Sequence, residues 1–259
     1  MLHPVWAALI ETNPVRKCAL VAALTPQQAE TAATAGMPSG HAIPGRPDRP
    51  ELVMPRQVPH RGLGSVAGRA ALIHAVAHIE FNAINLALDA ACRFDGLPAQ
   101  YAHDWLSVAQ DEARHFGWLT VRLAELGFAY GDFPAHNGLW EAAEKTAHDP
   151  LVRMACVPRV LEARGLDVTP GMIAKLEQAG DHPTVAILHD ILREEVGHVT
   201  IGTYWFRWLC AQRGVDPDER FPALLAAYGM QLKAPFNWSA REAAGFSEAE
   251  MRQWRVTTP

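Results

Sequence analysis

The chain has 259 residues, 49% of them apolar, and a formal net charge of −5 with both signs scattered along it. That is length and core material for one large domain, or for a core domain with extensions, and it speaks against disorder. No lysine/arginine block is present, which argues against general nucleic-acid binding while leaving open one RNA substrate held by shape.

The N-terminal stretch MLHPVWAALIETNP lacks a basic region followed by an apolar run and a small-residue cleavage site, so no secretory leader is expected. No stretch of 18 apolar residues occurs, so no membrane span is expected either. Residues 3–35 predict one or two short amphipathic helices, with Pro26 suited to a helix start. Residues 36–64 change character: Pro38, Pro44, Pro47, Pro50, Pro55 and Pro59 alternate with glycines, which demands an extended strap or a linker. The run Leu52-Val53-Met54 suggests a strap packed along the core. Ser65 is a fair N-cap for a helix reaching Phe94, and Asp95-Gly96-Leu97-Pro98 breaks it.

A second helix is expected from Pro98 to Leu126, stopping at Gly127, followed by a loop over 130–138. A third should run to about Gly165, with Pro158 as a kink or a start, and Thr169-Pro170 should open a short helix to Ala179. A fourth long helix should run from the turn 180–183 to Arg213, with two smaller helices completing the C-terminus. The organisation predicted is all-α. N-terminal helices and strap cover residues 1–64, an antiparallel four-helix bundle covers 65–213, and a C-terminal helical extension covers 214–259. In that extension Lys233-Ala-Pro-Phe-Asn-Trp238, with Arg241, is a candidate lid. The four cysteines, Cys18, Cys92, Cys156 and Cys210, form no CxxC pair, which favours reduced thiols and a cytoplasmic location.

Two of the long helices carry a Glu-x-x-His motif: Glu112-Ala-Arg-His115 and Glu195-Val-Gly-His198. Residues three apart share a helix face, so each carboxylate and imidazole can reach a common ion. A single such motif is weak evidence, but each copy also has a partner Glu about one hairpin upstream. Glu80 precedes Glu112 by 32 residues and Glu162 precedes Glu195 by 33. The first pair is centred on Gly96, in the expected turn, so Glu80 should sit level with Glu112. The second is centred next to Gly180. Four glutamates and two histidines from four helices form the di-metal carboxylate arrangement of ferritin-like bundles. Such groups in an apolar interior need a cation. Hard carboxylates with imidazole suit two iron ions, with two manganese or a mixed pair as alternatives. One ion is expected mainly on Glu80, Glu112 and His115, the other on Glu162, Glu195 and His198. Asp111 and Glu194 precede the motifs and are candidates to orient His198 and His115 respectively, since ligating histidines usually donate to a carboxylate. The alternative is that both are solvent-facing charges.

Arg159 lies one α-turn before Glu162 and is a candidate anchor for an anionic substrate group, or else a structural ion-pair partner. His74 and His78 have i, i+4 spacing, but His78 lies about 200° around the helix from Glu80, so it is expected to be a hydrogen-bonded structural residue. Trp105, Trp118 and Trp205 are expected in the core.

The strings HIEFNAINLALDA, DEARHF, YGDFPAHNGLWEAAEKTAHD, VPRVLEARGLDVTPGMIAKL and EEVGHVTIG resemble a bacterial ferritin-like family known as domain of unknown function four-five-five, from about residue 50 to the C-terminus. The resemblance implies a ferritin-like fold and a di-metal site on the six residues named; it supplies no substrate. The motif pattern is also similar to that of multicomponent monooxygenases, the ribonucleotide reductase small subunit, rubrerythrin, manganese catalase and a tRNA hydroxylase. The leading expectation is an O₂-dependent oxidoreductase or hydroxylase acting on a small molecule or modified nucleotide, with electrons from a separate donor protein and a homodimer as a candidate assembly. A ferroxidase, a manganese catalase-like peroxide dismutase and a non-catalytic metal scaffold are the rivals.

Overall fold

The computed structural model describes residues 2–59 and 61–257. Among them no strand is formed; the one β contact is an isolated parallel bridge between Leu52 and Ala135. The chain divides into two compact units, Met1–Glu141 and Ala142–Pro259.

The first unit opens with three short helices where one or two are expected: α1 (Pro4–Ile10), α2 (Pro14–Ala22) and α3 (Pro26–Ala32). Each has proline in its first turn and a side-chain cap, from His3, Asn13 and Thr25 in turn. Proline has no N–H to lose there and its fixed φ suits the first turn, so Pro4 and Pro14 carry the same signal as Pro26. Trp6 is buried and donates from Nε1 to the Ala32 carbonyl at 3.1 Å, tying α1 to α3.

The proline-rich segment is extended, as its composition requires, but Leu52 and Met54 do not pack inward: they are 43% and 57% exposed. The strap is held by its backbone instead. Gly45 N–H donates to Leu9 O (2.9 Å), Val53 N–H to Ala135 O (2.8 Å) and Ala135 N–H to Glu51 O (2.9 Å). Those bonds need no particular side chain, which is why apolar patterning misreads this stretch.

α4 (Val66–Arg93) and α5 (Ala99–Glu125) form the long hairpin of this unit. Ser65 caps α4 by accepting from Gly68 N–H, and Gly96 at φ +76° makes the turn that a residue with Cβ would resist. α4 is buried nearly all round over its second half. It is the one described helix long and apolar enough to cross a membrane, and most of that stretch is buried inside the protein. A helix apolar on every side belongs in a core as readily as in a bilayer.

α6 (Gly138–Lys145) spans the division between the units, and α7 (Pro150–Cys156) begins the second after a break at 146–149. The expected continuous third helix is therefore split there. It then continues further than expected. A π-helical segment, Val157–Glu162, leads into α8 (Ala163–Gln178), in which Thr169-Pro170 opens nothing and Pro170 sits inside the helix. Gly180 ends α8, Asp181 caps α9 (His182–Gln212), and α8 and α9 pack as the second unit's hairpin. Three helices follow instead of two: α10 (Pro217–Ala227), α11 (Trp238–Ala243) and α12 (Glu248–Thr257).

Candidate metal centre

The hairpin turn at 94–98 brings Glu80 of α4 and Glu112 of α5 together, and Glu112 and His115 share a face of α5. Glu80, Glu112 and His115 each offer a ligand atom within 4.8 Å of the others. All three are buried, at 4%, 1% and 0% exposure. His115 directs Nδ1 at both carboxylates, 3.1 Å from Glu80 Oε2 and 3.5 Å from Glu112 Oε2.

The triad's side chains perturb one another strongly and could hold a metal ion. Burial, then the neighbouring Glu112 charge, pushes the Glu80 carboxyl well above the ordinary carboxylate range. Burial alone would pull the His115 imidazole down, but its hydrogen bonds to Glu112 and Glu80 outweigh that and hold it at about 11. The proton is thus held on the imidazole, and the Glu80 carboxyl resists ionisation beside Glu112. A divalent ion would take the place of those protons, which is how metal binding and deprotonation are linked. The donor set fits a hard or borderline metal: two carboxylates and one imidazole nitrogen on rigid helices.

The second unit carries the matching motif. His198 Nδ1 lies 3.4 Å from Glu195 Oε1 on the same face of α9, so both Glu-x-x-His motifs aim Nδ1 at their own carboxylate. His198 is buried, whereas Glu195 and Glu162 reach solvent in part. Glu162 is the last residue of the π segment, where Ala163 N–H donates to Pro158 O, five residues back. Pro158 is wedged against α9: a Cβ on Gly202 would lie 2.3 Å from the Pro158 Cβ, so only glycine permits this approach.

Asp111 is partly exposed and pairs with Arg114 at 2.9 Å. Glu194 is partly exposed, 4.0 Å from Arg193. Arg159 is not a substrate anchor. It is fully buried, its Nη2 donates to Glu250 at 2.5 Å, and its guanidinium lies 4.5, 4.1 and 4.7 Å from the Phe206, Phe221 and Phe246 ring centres. The expectation that it shares Glu162's face assumed α spacing; the π turn invalidates that.

The pair His74 and His78 serves a loop. His74 Nε2 accepts from Gly131 N–H at 2.9 Å. His78 donates from Nε2 to the His136 carbonyl (3.1 Å), which leaves Nδ1 to accept the Tyr130 hydroxyl (2.9 Å). Burial lowers both to about 4, so both are neutral hydrogen-bonding groups. Trp105 and Trp205 are core residues; Trp118 is half-buried, 5.4 Å from the His115 ring.

The candidate lid is clamped to α8. Arg164 donates to the Lys233, Ala234 and Pro235 carbonyls, Asn237 N–H donates to Asp167, and Arg241 makes a buried two-pronged bond to Asp167 at 2.9 and 2.7 Å. Sequence reasoning also missed Lys17, a buried ammonium group bonded to Leu9 O (2.8 Å) and Asn85 Oδ1 (2.6 Å). Its signal is visible in hindsight only in the pairing of a lysine on a short helix with an asparagine deep in an apolar one.

A family model described as "Protein of unknown function (DUF455)" matches residues 10–252. A protein of Haemophilus influenzae, named only as uncharacterized, is 50% identical over 214 residues, covering 79% of this chain and 74% of that protein. No solved structure matches. With residues 10–252 of its 259 matched, this protein belongs to the DUF455 family.

Proposed function

We propose that the two Glu/Glu-x-x-His sets together hold a pair of iron or manganese ions in a ferritin-like four-helix bundle, and that the protein is an O₂-dependent oxidoreductase. The carrying observation is the buried triad Glu80, Glu112, His115, whose two carboxylates and one imidazole converge in an apolar interior. Uncompensated carboxylates there are costly, so their retention points to a cation. The sequence symmetry extends the reading to Glu162, Glu195 and His198, with Asp111 and Glu194 as the carboxylates behind the histidines.

An iron pair, when bound, supplies redox capacity toward O₂. What the chain contributes is distinct at each half. The first set is sealed, and its carboxylates are oriented by regular helices and by His115 Nδ1. In the second set Glu162 and Glu195 reach solvent, which suits a position that exchanges ligands and favours catalysis over a purely structural ion. The substrate is an organic small molecule or modified nucleotide, and reducing equivalents come from a separate donor protein.

The test is elemental analysis of protein purified from its own host, then spectra of the reduced form on exposure to O₂. About two iron or manganese per chain, lost in a Glu80→Ala/Glu112→Ala double variant, is the expected result. Neither metal in wild type after reconstitution overturns the metal reading. Manganese with peroxide turnover, a large iron-storing shell, or bound metal inert to O₂ and peroxide overturns the O₂-dependent reading alone.

A further inference from the structure

A π turn is rare and usually a single bulge within an α-helix, often at a functional site. It persists only when its surroundings hold it. At Val157–Glu162 the chain starts with a deficit, because Pro158 has no N–H to donate. Three contacts hold the segment within the second unit. Pro158 fills the notch left by Gly202 of α9. Arg159, inside the π turn, is fully buried against Phe206 of α9, Phe221 of α10 and Phe246. Its guanidinium is bound by Glu250 of α12.

Glu250 is itself fixed. Its Oε2 accepts from Ser247 N–H at 2.8 Å, and its own N–H donates to Ser247 Oγ at 3.0 Å, the reciprocal arrangement of a capping box. One carboxylate therefore caps α12 with one oxygen and grips Arg159 with the other. Arg207 adds a longer contact at 3.8 Å. A charge pair buried this completely is expensive to form, and often no more stabilising than apolar residues of the same volume. Stability alone is then a weak reason for it; fixing one backbone arrangement is a better one.

We propose that Glu250, acting through Arg159, is a positioning residue for Glu162: the pair holds the π register that presents the Glu162 carboxylate. A π turn advances less per residue than an α turn, so relaxation of 157–162 to regular α-helix would rotate Glu162 relative to the helix before it. The inference rests on the reading of Glu162 as a metal ligand.

The experiment titrates cobalt(II) into metal-free full-length protein, reading stoichiometry, affinity and the visible ligand-field spectrum, with thermal unfolding in parallel. Wild type should take up two ions and Glu162→Ala one. In Glu250→Gln the first ion should bind as in wild type. The second should bind about 10-fold more weakly, at the low end for a residue behind a ligand, with an altered spectrum. Glu250→Asp keeps the charge but shortens the reach and should weaken the second ion too; it decides the matter if Glu250→Gln does not fold. The Arg159→Met/Glu250→Met double variant should fold yet show the same defect. Wild-type uptake and spectrum of the second ion in the folded variants overturn the proposal, as does equal weakening of both ions. Two ions retained by Glu162→Ala overturn the ligand reading beneath it, an outcome the other variants cannot imitate.

Discussion

The two Glu-x-x-His sets are alike in sequence and unlike in structure. Around Glu80, Glu112 and His115 the helices are regular, the turn is short, and all three side chains are buried. Around Glu162, Glu195 and His198 one of the helices passes through a π turn, and two of the three side chains reach solvent. Similar spacing in sequence thus does not impose similar enclosure; the local backbone sets how far the side chains are buried. The enclosed set carries its electrostatic problem inside itself. The open set shares its own with water.

The largest effect expected from that contrast is on metal and apo stability together. Glu112→Gln should abolish uptake at the buried triad. It should also stabilise the metal-free protein by on the order of 1 kcal/mol, or about 2–4 °C, because it removes one of two buried carboxylates and leaves a neutral Glu80–His115 pair. Glu195→Gln should weaken the other ion and shift apo stability by less, since solvent already screens that carboxylate. Elemental analysis and thermal melts of both variants check this. An apo Glu112→Gln melting below wild type would mean the triad is not frustrated without metal.

A second contrast sets two buried cations against each other. Arg159 has a carboxylate partner; Lys17 donates to a carbonyl and an amide oxygen, and burial lowers its ammonium from 10.5 to about 7. With the folded value below the unfolded one, the unfolded chain holds the proton more tightly between these pH values. Stability contributed at Lys17 therefore rises as pH goes from about 7 to 10.5, by on the order of 4 kcal/mol. Lys17→Met should lack that rise. The difference between variant and wild type in chemical denaturation at pH 7 and 10 isolates it from the buried cysteines, whose titration runs the other way. A difference that is flat with pH would place the charge of Lys17 in solvent.

Gly202→Ala probes the π turn from the neighbouring helix. The added methyl overlaps Pro158, and overpacking of this kind costs about 1–3 kcal/mol. It should also disturb the second ion and spare the first. Gly197→Ala, on the same helix with open space around it, is the control and should be neutral or mildly stabilising.

What could be read from the sequence follows from which interactions are local. The α4–α5 hairpin was legible because Ser65, the Asp95–Pro98 break and the 32-residue spacing are all short-range signals. So was the hydrogen-bonded structural role of His78, from helix angle alone. The face of Arg159 was misread because a π turn leaves no mark in residue type beyond Pro158. The strap was misread at Leu52 and Met54 because backbone bonds to Ala135, not apolar burial, hold it. Lys17, Asp167 and Glu250 were invisible for a common reason. Each matters through a partner 68 to 91 residues away, and no periodicity encodes that.

The most local effect separates the two faces of α4. Glu80 faces the triad, and His78 faces the loop that holds the strap. His78→Gln can keep only one of the imidazole's contacts to Tyr130 and to the His136 carbonyl, and should cost about 1 kcal/mol. The cost should appear as faster amide exchange at Val53 and Ala135, whose N–H groups pin strap to loop, while exchange in the middle of α5 is unchanged. Metal affinity should be that of wild type, because the substituted side chain lies on the far side of the helix from Glu80. A loss of metal in this variant, with exchange at Val53 and Ala135 unaltered, would show that α4 turns its other face to the ion. The buried triad would then have to be reassigned.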